Sequence, residues 1–321
     1  MSTPERHRSE KREQTLAQPC VISIAHEAPT VLLVGHNHRV MVLDPVRSWL
    51  GDQIRSRVIG DDPQAKAANL FDAPGPRWFD EDSPIRIVHA DASMFVGGLR
   101  ALLFQSLHPL AMAGVAQHSD YRRDPWGRLQ RTADYLAATT FGTIEQAEQA
   151  IAIVHRVHQR VTGTASNGQP YSANDPHLLR WVHLAEIDSF MIAHQRHGAV
   201  RLSAAQYDQY VAQASVVAEK LGAVGSPQSV AELKAQLAAF RPELRGTSEA
   251  RAAARYLLTQ PPLPLAARAP YGVLAASAVA LLPSWARLPL RLPYLPVTER
   301  VLVRQAGSAI TDVIRWATTP E

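Results

Sequence analysis

Cysteine is almost missing from this sequence: Cys20 is the only one among 321 residues. One thiol cannot close an intramolecular disulfide, nor can it build a Cys-cluster zinc or iron–sulfur site. An excess of charge of one sign is missing too. The 33 Lys and Arg face 29 Asp and Glu, for a formal charge of +4, and no dense basic run occurs, which argues against nucleic acid as a partner. No Gly-rich dinucleotide fingerprint, phosphate-binding loop or nucleophile elbow occurs. Nor is there a His-Glu-x-x-His, or the Glu-x-x-His pairs that di-iron carboxylate bundles repeat. Residues 93–119 hold no carboxylate, so only His108 and His118 can exchange a proton near neutrality there.

What is present reads as a helical protein. The N-terminus, MSTPERHRSEKREQ, is charged and has no apolar signal-peptide core behind it, so residues 1–17 are expected to be a disordered tail on a cytoplasmic protein. Residues 18–45 are rich in Val and Ile and read as an extended arm or a short strand pair. From residue 46 to 318 the pattern is helical, and strand signals nearly vanish after residue 60. The expected fold class is therefore all-α, a single globular multi-helix domain. A long apolar helix starts near Ala90–Ser93 and is interrupted at His108-Pro109, where the ring nitrogen has no proton to donate. A helix over 126–141 lies between Asp124-Pro125 and Gly142. The next begins at Thr143, in capping-box spacing with Gln146, and is expected to stop at Gly163. Further helices are expected at 176–197, 203–221, 226–238 and 297–318. The uncharged stretch 269–286 approaches the length of a membrane span. A central buried helix is the preferred reading there, and a membrane-surface contact the alternative.

The candidate residues cluster on two neighbouring helices. Arg128, Arg131, Thr132 and Tyr135 fall at i, i+3, i+4 and i+7 and share one stripe. On the following helix Ala147, Ile151, Val154, His158 and Val161 form an apolar stripe in which His158 is the only polar member, with His155 on its flank. Periodicity leaves His158 either a hydrogen-bonded core residue or a metal or haem ligand. His155-x-x-His158 has a spacing that can chelate zinc, but no third ligand is marked out. His183 and Glu186 share a face, with Asp188 beyond them, so a mononuclear metal site and a core role are both open. An inward histidine, apolar helix faces and an arginine-bearing stripe would suit a planar, dianionic, mostly apolar cofactor such as haem.

Five segments carry a family likeness: LRALLFQSLHPLAMAGVAQHS, DPWGRLQRTADYLAATTFG, VHRVHQRVTG, YSANDPHLLRWVHLAEIDSF and PPLPLAAR, in that order. Together they resemble the rubber-oxygenase/ER-bound oxygenase catalytic domain family over residues 46–296. That family includes latex clearing proteins and fungal oxygenases that shorten a prenyl side chain. The resemblance implies an all-helical fold that binds haem b and uses dioxygen. It implies His158, in HxxVxG, as the axial iron ligand. It matches Arg128, Arg131 and Thr132 to an Arg-x-x-Lys-Thr pattern, with arginine in the lysine place, near the haem and its oxygen-binding side. Tyr135 and His108 are further cofactor-contact candidates, and His108 or His183 is a candidate second axial ligand. The expected function is a haem-dependent oxygenase acting on a hydrophobic, alkene- or isoprenoid-containing small molecule, with peripheral membrane contact as a further expectation. One alternative is a haem-binding sensor, carrier or scavenger without turnover, suggested by the carboxylate-free 93–119 stretch. Another is a helical scaffold or membrane-surface protein that has lost the cofactor.

Overall fold

The computed structural model describes residues 37–319, so the tail over 1–17 and residues 18–36 of the expected arm lie outside the described residues, while residues 37–45, expected as the rest of that arm, are helical. In chain order the helices are α1 (Asn37–Val58), α2 (Pro63–Phe71), α3 (Pro84–Ala90), α4 (Met94–Gln105), α5 (Pro109–His118), α6 (Pro125–Phe141) and α7 (Ile144–His158). A two-strand hairpin, β1 (Thr162–Thr164) and β2 (Pro170–Ser172), precedes α8 (Pro176–His197), α9 (Ala204–Leu221) and α10 (Val230–Phe240). After a 3-10 turn at Arg241–Glu243 come α11 (Ser248–Thr259), α12 (Leu265–Leu281), α13 (Ser284–Arg287) and the single turn α14 (Pro296–Thr298). A π-helical turn (Glu299–Val303) then leads into α15 (Arg304–Thr318). From Leu43 onward the chain packs as one all-helical unit. Proline opens α2, α3, α5, α6 and α8, at the position where a missing amide proton costs nothing.

Helix α8 is the axis of the core. It buries Trp181, Leu184, Ile187, Phe190 and Met191 on different sides, as expected of a helix surrounded by others. Around it α4, α9 and α10 contribute Phe104, Leu103, Tyr210, Val211 and Leu233. The α4–α8 contact also holds a buried ion pair. Arg100, 1% exposed, donates from Nη2 to Asp188 Oδ2 at 2.7 Å, from Nη1 to Ser189 Oγ at 2.6 Å and from Nε to the Leu281 carbonyl at 3.0 Å. One guanidinium thus joins α4, α8 and α12.

Two glycines of α4 make a paired prediction. A Cβ on Gly97 would stand 3.0 Å from Phe190 Cδ1 and 3.2 Å from its Cα, whereas one on Gly98 would meet nothing within 4 Å. Gly97→Ala should destabilise the domain by about 1–3 kcal/mol through overpacking. Gly98→Ala should be neutral or stabilising by up to about 1 kcal/mol through helix propensity. Urea unfolding of both variants checks the pair. Equal effects would show that α4 does not sit this close to α8.

Several boundaries differ from the sequence expectation. His108-Pro109 does not kink one helix: α4 ends at Gln105, His108 is extended (φ −84, ψ 116), and Pro109 starts α5. Proline crowds the residue before it out of the helical region, and here that ends the helix. Helix α7 stops at His158, five residues before Gly163. Gly163 pairs with Tyr171 across the β hairpin, where a Cβ would fall 2.6 Å from the tyrosine oxygen. It is therefore required for close approach and not for capping. Helix α11, capped by Thr247, is an addition to the expected helices; Ala250, Ala253 and Ala254 form its buried face. The uncharged stretch 269–286 is not one central helix: α12 ends at Leu281, Pro283 follows, and Ser284–Ala286 open α13, while α12 buries Leu274, Ala275, Ser277, Ala278 and Val279 on its C-terminal half. Among the described residues no single helix is long and apolar enough to cross a membrane; α3 and α4 are so only together, and they meet at 93°.

Candidate active site

Helices α6 and α7 form an antiparallel hairpin turned by Gly142 and Thr143. Asp124 caps α6 by accepting from the Gly127 amide, and Thr143 with Gln146 closes a capping box on α7. Arg128 and His158 lie 14 and 15 residues from the two turn residues, Arg128 in the first turn of α6 and His158 at the end of α7.

The polar stripe of α6 divides. Arg128 and Tyr135 are half-buried, while Arg131 and Thr132 are exposed. At about 100° per residue Arg131 and Thr132 lie roughly 60° and 40° to either side of Arg128, so only the centre line of the stripe faces inward. Arg131 pairs with Asp124 at 3.2 Å, and the Thr132 hydroxyl donates to the Arg128 carbonyl at 3.0 Å. The Arg128 guanidinium lies 5.9 Å from the centre of the Tyr121 ring and donates no hydrogen bond to any described residue. Burial lowers its pKa, and the nearby Arg131 charge lowers it further. His158 is half-buried. Its Nδ1 is enclosed without a hydrogen-bond partner, and burial, then the neighbouring His155, lowers its pKa. His155 itself is exposed.

Deeper in, α3, α6, α8 and α9 enclose a second group of ionisable side chains. His89 Nδ1 meets Thr140 Oγ1 at 2.8 Å, its Nε2 is enclosed and unpartnered, and burial drives its pKa down to about 3. The Ser215 hydroxyl donates to the Pro227 carbonyl at 2.6 Å, so His183 Nε2, 3.4 Å from Ser215 Oγ, must be the protonated nitrogen. That leaves the Nδ1 lone pair of His183 free, and burial lowers the ring's pKa to about 4. Glu186, one turn further along α8, accepts no hydrogen bond from a described residue, and burial pushes its pKa up to about 7. Its charge also raises the pKa values of the Tyr135 and Tyr210 phenols, behind the larger effect of their own burial. His89, Tyr135, His183 and Glu186 are enclosed by these helices but each keeps some accessible surface, so a crevice between the helices lets water reach them.

His108 belongs elsewhere. Its Nε2 lies 3.3 Å from Glu243 Oε2, the same oxygen that meets His177 Nε2 at 2.8 Å. His118 bonds Tyr171 Oη at 3.0 Å beside the β hairpin. Of the α6 and α7 candidates the structure thus half-buries Arg128, Tyr135 and His158 and leaves Arg131 and Thr132 exposed, while His108 lies with His177 and Glu243. A surface cavity of about 500 Å³ between the Pro74–Pro76 turn and α7 is lined by Glu145, Glu148 and Gln149 and contains none of these groups. His89 had no sequence signal, because a single histidine in a seven-residue helix shows no period. Nor did sequence spacing indicate that the charge of Glu186 would reach a tyrosine of α6.

The raised carboxyl has a measurable consequence. A native pKa of about 7, above the ordinary value of 4.5, means the folded chain holds a proton that the unfolded chain has released. Stability from this group is therefore complete below about pH 4.5 and is lost as pH rises through 7. Glu186→Gln should match the wild type at pH 4 and exceed it at pH 8 by on the order of 2 kcal/mol, after allowance for the water that reaches the crevice. Urea unfolding across pH checks this. A constant difference would mean Glu186 is an ordinary, ionised surface acid.

The domain is all-helical apart from one short hairpin, and it encloses the unpartnered ring nitrogens of His89 and His158 and a Glu186 carboxyl that accepts from no described residue. The chain belongs to the family described as ER-bound oxygenase mpaB/B'/rubber oxygenase, catalytic domain, which matches residues 86–316, and membership supports an oxygenase-type, oxidoreductase function. No curated protein and no solved structure matches it.

Proposed function

We propose that this chain is a haem b-dependent oxygenase that uses dioxygen on an apolar small molecule carrying an alkene or an isoprenoid tail. One observation carries the reading: the paired helices α6 and α7 carry a half-buried guanidinium, Arg128, that donates to no described residue and an imidazole, His158, with an enclosed and unpartnered nitrogen. A shielded charge is costly without a counter-charge, and a haem propionate is a fitting one for Arg128. These residues fit the cofactor. His158 would hold the iron through a ring nitrogen, and burial keeps that ring neutral so that its lone pair is available. Haem iron, when bound, supplies the dioxygen activation that protein side chains lack.

The chain's own groups then divide the work. Arg128 binds and orients the anionic edge of the cofactor. Glu186, protonated near neutrality, can donate a proton into the crevice and take it back, which is the behaviour wanted of a general acid–base group. Tyr135 keeps its phenolic proton and serves as a fixed donor beside it. Leu136 and Val182, packed against the core, keep water from the apolar part of a substrate. Arg131 and Thr132 would act from the exposed rim. The carboxylate-free 93–119 stretch is the ground for a haem carrier without turnover. Glu186 offers a crevice carboxylate from α8 instead, which favours turnover.

Protein from haem-supplied cells should show a Soret band and, once reduced, consume dioxygen with some member of a panel of prenylated and terpenoid alkenes. Pigmented protein that leaves every substrate unchanged would favour the carrier. Colourless protein that takes up no haemin would defeat both readings.

A further inference from the structure

We propose that His108, His177 and Glu243 form a binding site for one divalent transition-metal ion of the zinc class, separate from the α6/α7 hairpin and independent of the haem reading. The three side chains come from three elements: the residue preceding α5, the first turn of α8 and the 3-10 turn after α10. Their ligand atoms all lie within 4.8 Å of one another, the two His–Glu distances being 2.8 and 3.3 Å. Tetrahedral zinc, with bonds of about 2.0–2.2 Å, holds its ligand atoms about 3.3–3.5 Å apart. Shifts of about an ångström therefore suffice to seat an ion at the centre.

Both rings are held in place by packing. The His177 ring sits 4.5 Å from that of Phe240, and His108, 2% exposed, lies 6.1 Å from Trp181 and 6.2 Å from Phe240. The outer side is open: His177 and Glu243 are each about two-fifths exposed, which gives an entry path and room for a water as fourth ligand. In the metal-free arrangement Glu243 Oε2 accepts from both Nε2–H groups. When the ion replaces them, each ring proton moves to Nδ1, and no net proton is lost. The Arg180 Nη2 contact to His177 Nδ1, 3.5 Å, is then given up, while the bond of Nη1 to the Val224 carbonyl at 3.2 Å remains to hold Arg180. The Arg245 amide already donates to the Leu107 carbonyl at 2.7 Å, so the ion would reinforce a junction that the backbone has begun.

Titration of full-length protein with zinc chloride by calorimetry, beside His177→Ala and Glu243→Gln, tests the site. Both variants change exposed side chains, so folding is retained, and circular dichroism without metal confirms it. The expected result is one zinc ion per chain, a rise in Tm with zinc, and at least a tenfold loss of affinity together with loss of the Tm response in each variant. Wild-type protein that binds no zinc, or zinc bound equally by wild type and both variants, would overturn the proposal. The readout needs no haem, so it fails or succeeds apart from the oxygenase reading.

Discussion

His158→Ala protein, produced with ample haem, is expected to purify colourless, with its Soret absorbance reduced more than tenfold relative to wild type. The expectation follows from what the ring lacks in the folded chain. Its Nδ1 is enclosed without a partner, and burial keeps it neutral, so it is an available base and not a solvated surface group. Alanine removes that base. His155→Ala is the internal control. His155 is exposed on the flank, and its loss should leave the absorbance unchanged. Arg128→Ala should retain part of the pigment, because an axial ligand remains while a propionate loses its counter-charge. Haemin titration followed by absorbance measures all three. An unaltered Soret band in His158→Ala would sink His158 as ligand and turn attention to the free Nδ1 lone pair of His183.

The second large effect belongs to the core. Asp188→Ala is expected to cost about 3–5 kcal/mol, because it leaves the Arg100 guanidinium buried without its counter-charge. At about 2–4 °C per kcal/mol for a domain of this size, Tm should fall by roughly 10 °C. The pair's net worth is a different quantity from the cost of breaking it. Arg100→Met combined with Asp188→Leu should recover much of the loss, since it removes both charges and keeps the volume. Arg100 also donates to Ser189 Oγ and to the Leu281 carbonyl, and the double variant leaves both acceptors to find other donors. Recovery is therefore expected to be incomplete. Denaturant unfolding of the two variants decides. A loss below about 1 kcal/mol in Asp188→Ala would mean that water reaches the guanidinium after all.

Local chemistry was legible wherever a few neighbouring residues settle it. The Thr143–Gln146 capping box, the Asp124-Pro125 start and the run of α8 from Pro176 to His197 were all readable, since caps and first-turn prolines act within one turn. Gly163 was misread because a glycine near a helix end has two uses, and the choice between cap and close approach lay with Tyr171 across a hairpin. The stripe Arg128–Arg131–Thr132–Tyr135 shows the same limit. Helical spacing placed the four on one side, but how wide a strip of that side turns inward depends on the helices packed against it.

His108 is the plainest case. Its sequence neighbours mark a helix break, and its partners His177 and Glu243 stand 69 and 135 residues away by their numbering. By itself the sequence determined the all-α class, most helix positions, the family and the two helices that carry Arg128 and His158, because helix periods, caps and ordered motifs are short-range properties. Only the tertiary structure decided that the Glu186 charge reaches the Tyr135 phenol, that Arg128 finds no acceptor among the described residues and that His108 meets His177 and Glu243. Burial and electrostatic pairing are set by atoms brought together from distant parts of the chain, and no local spacing encodes them.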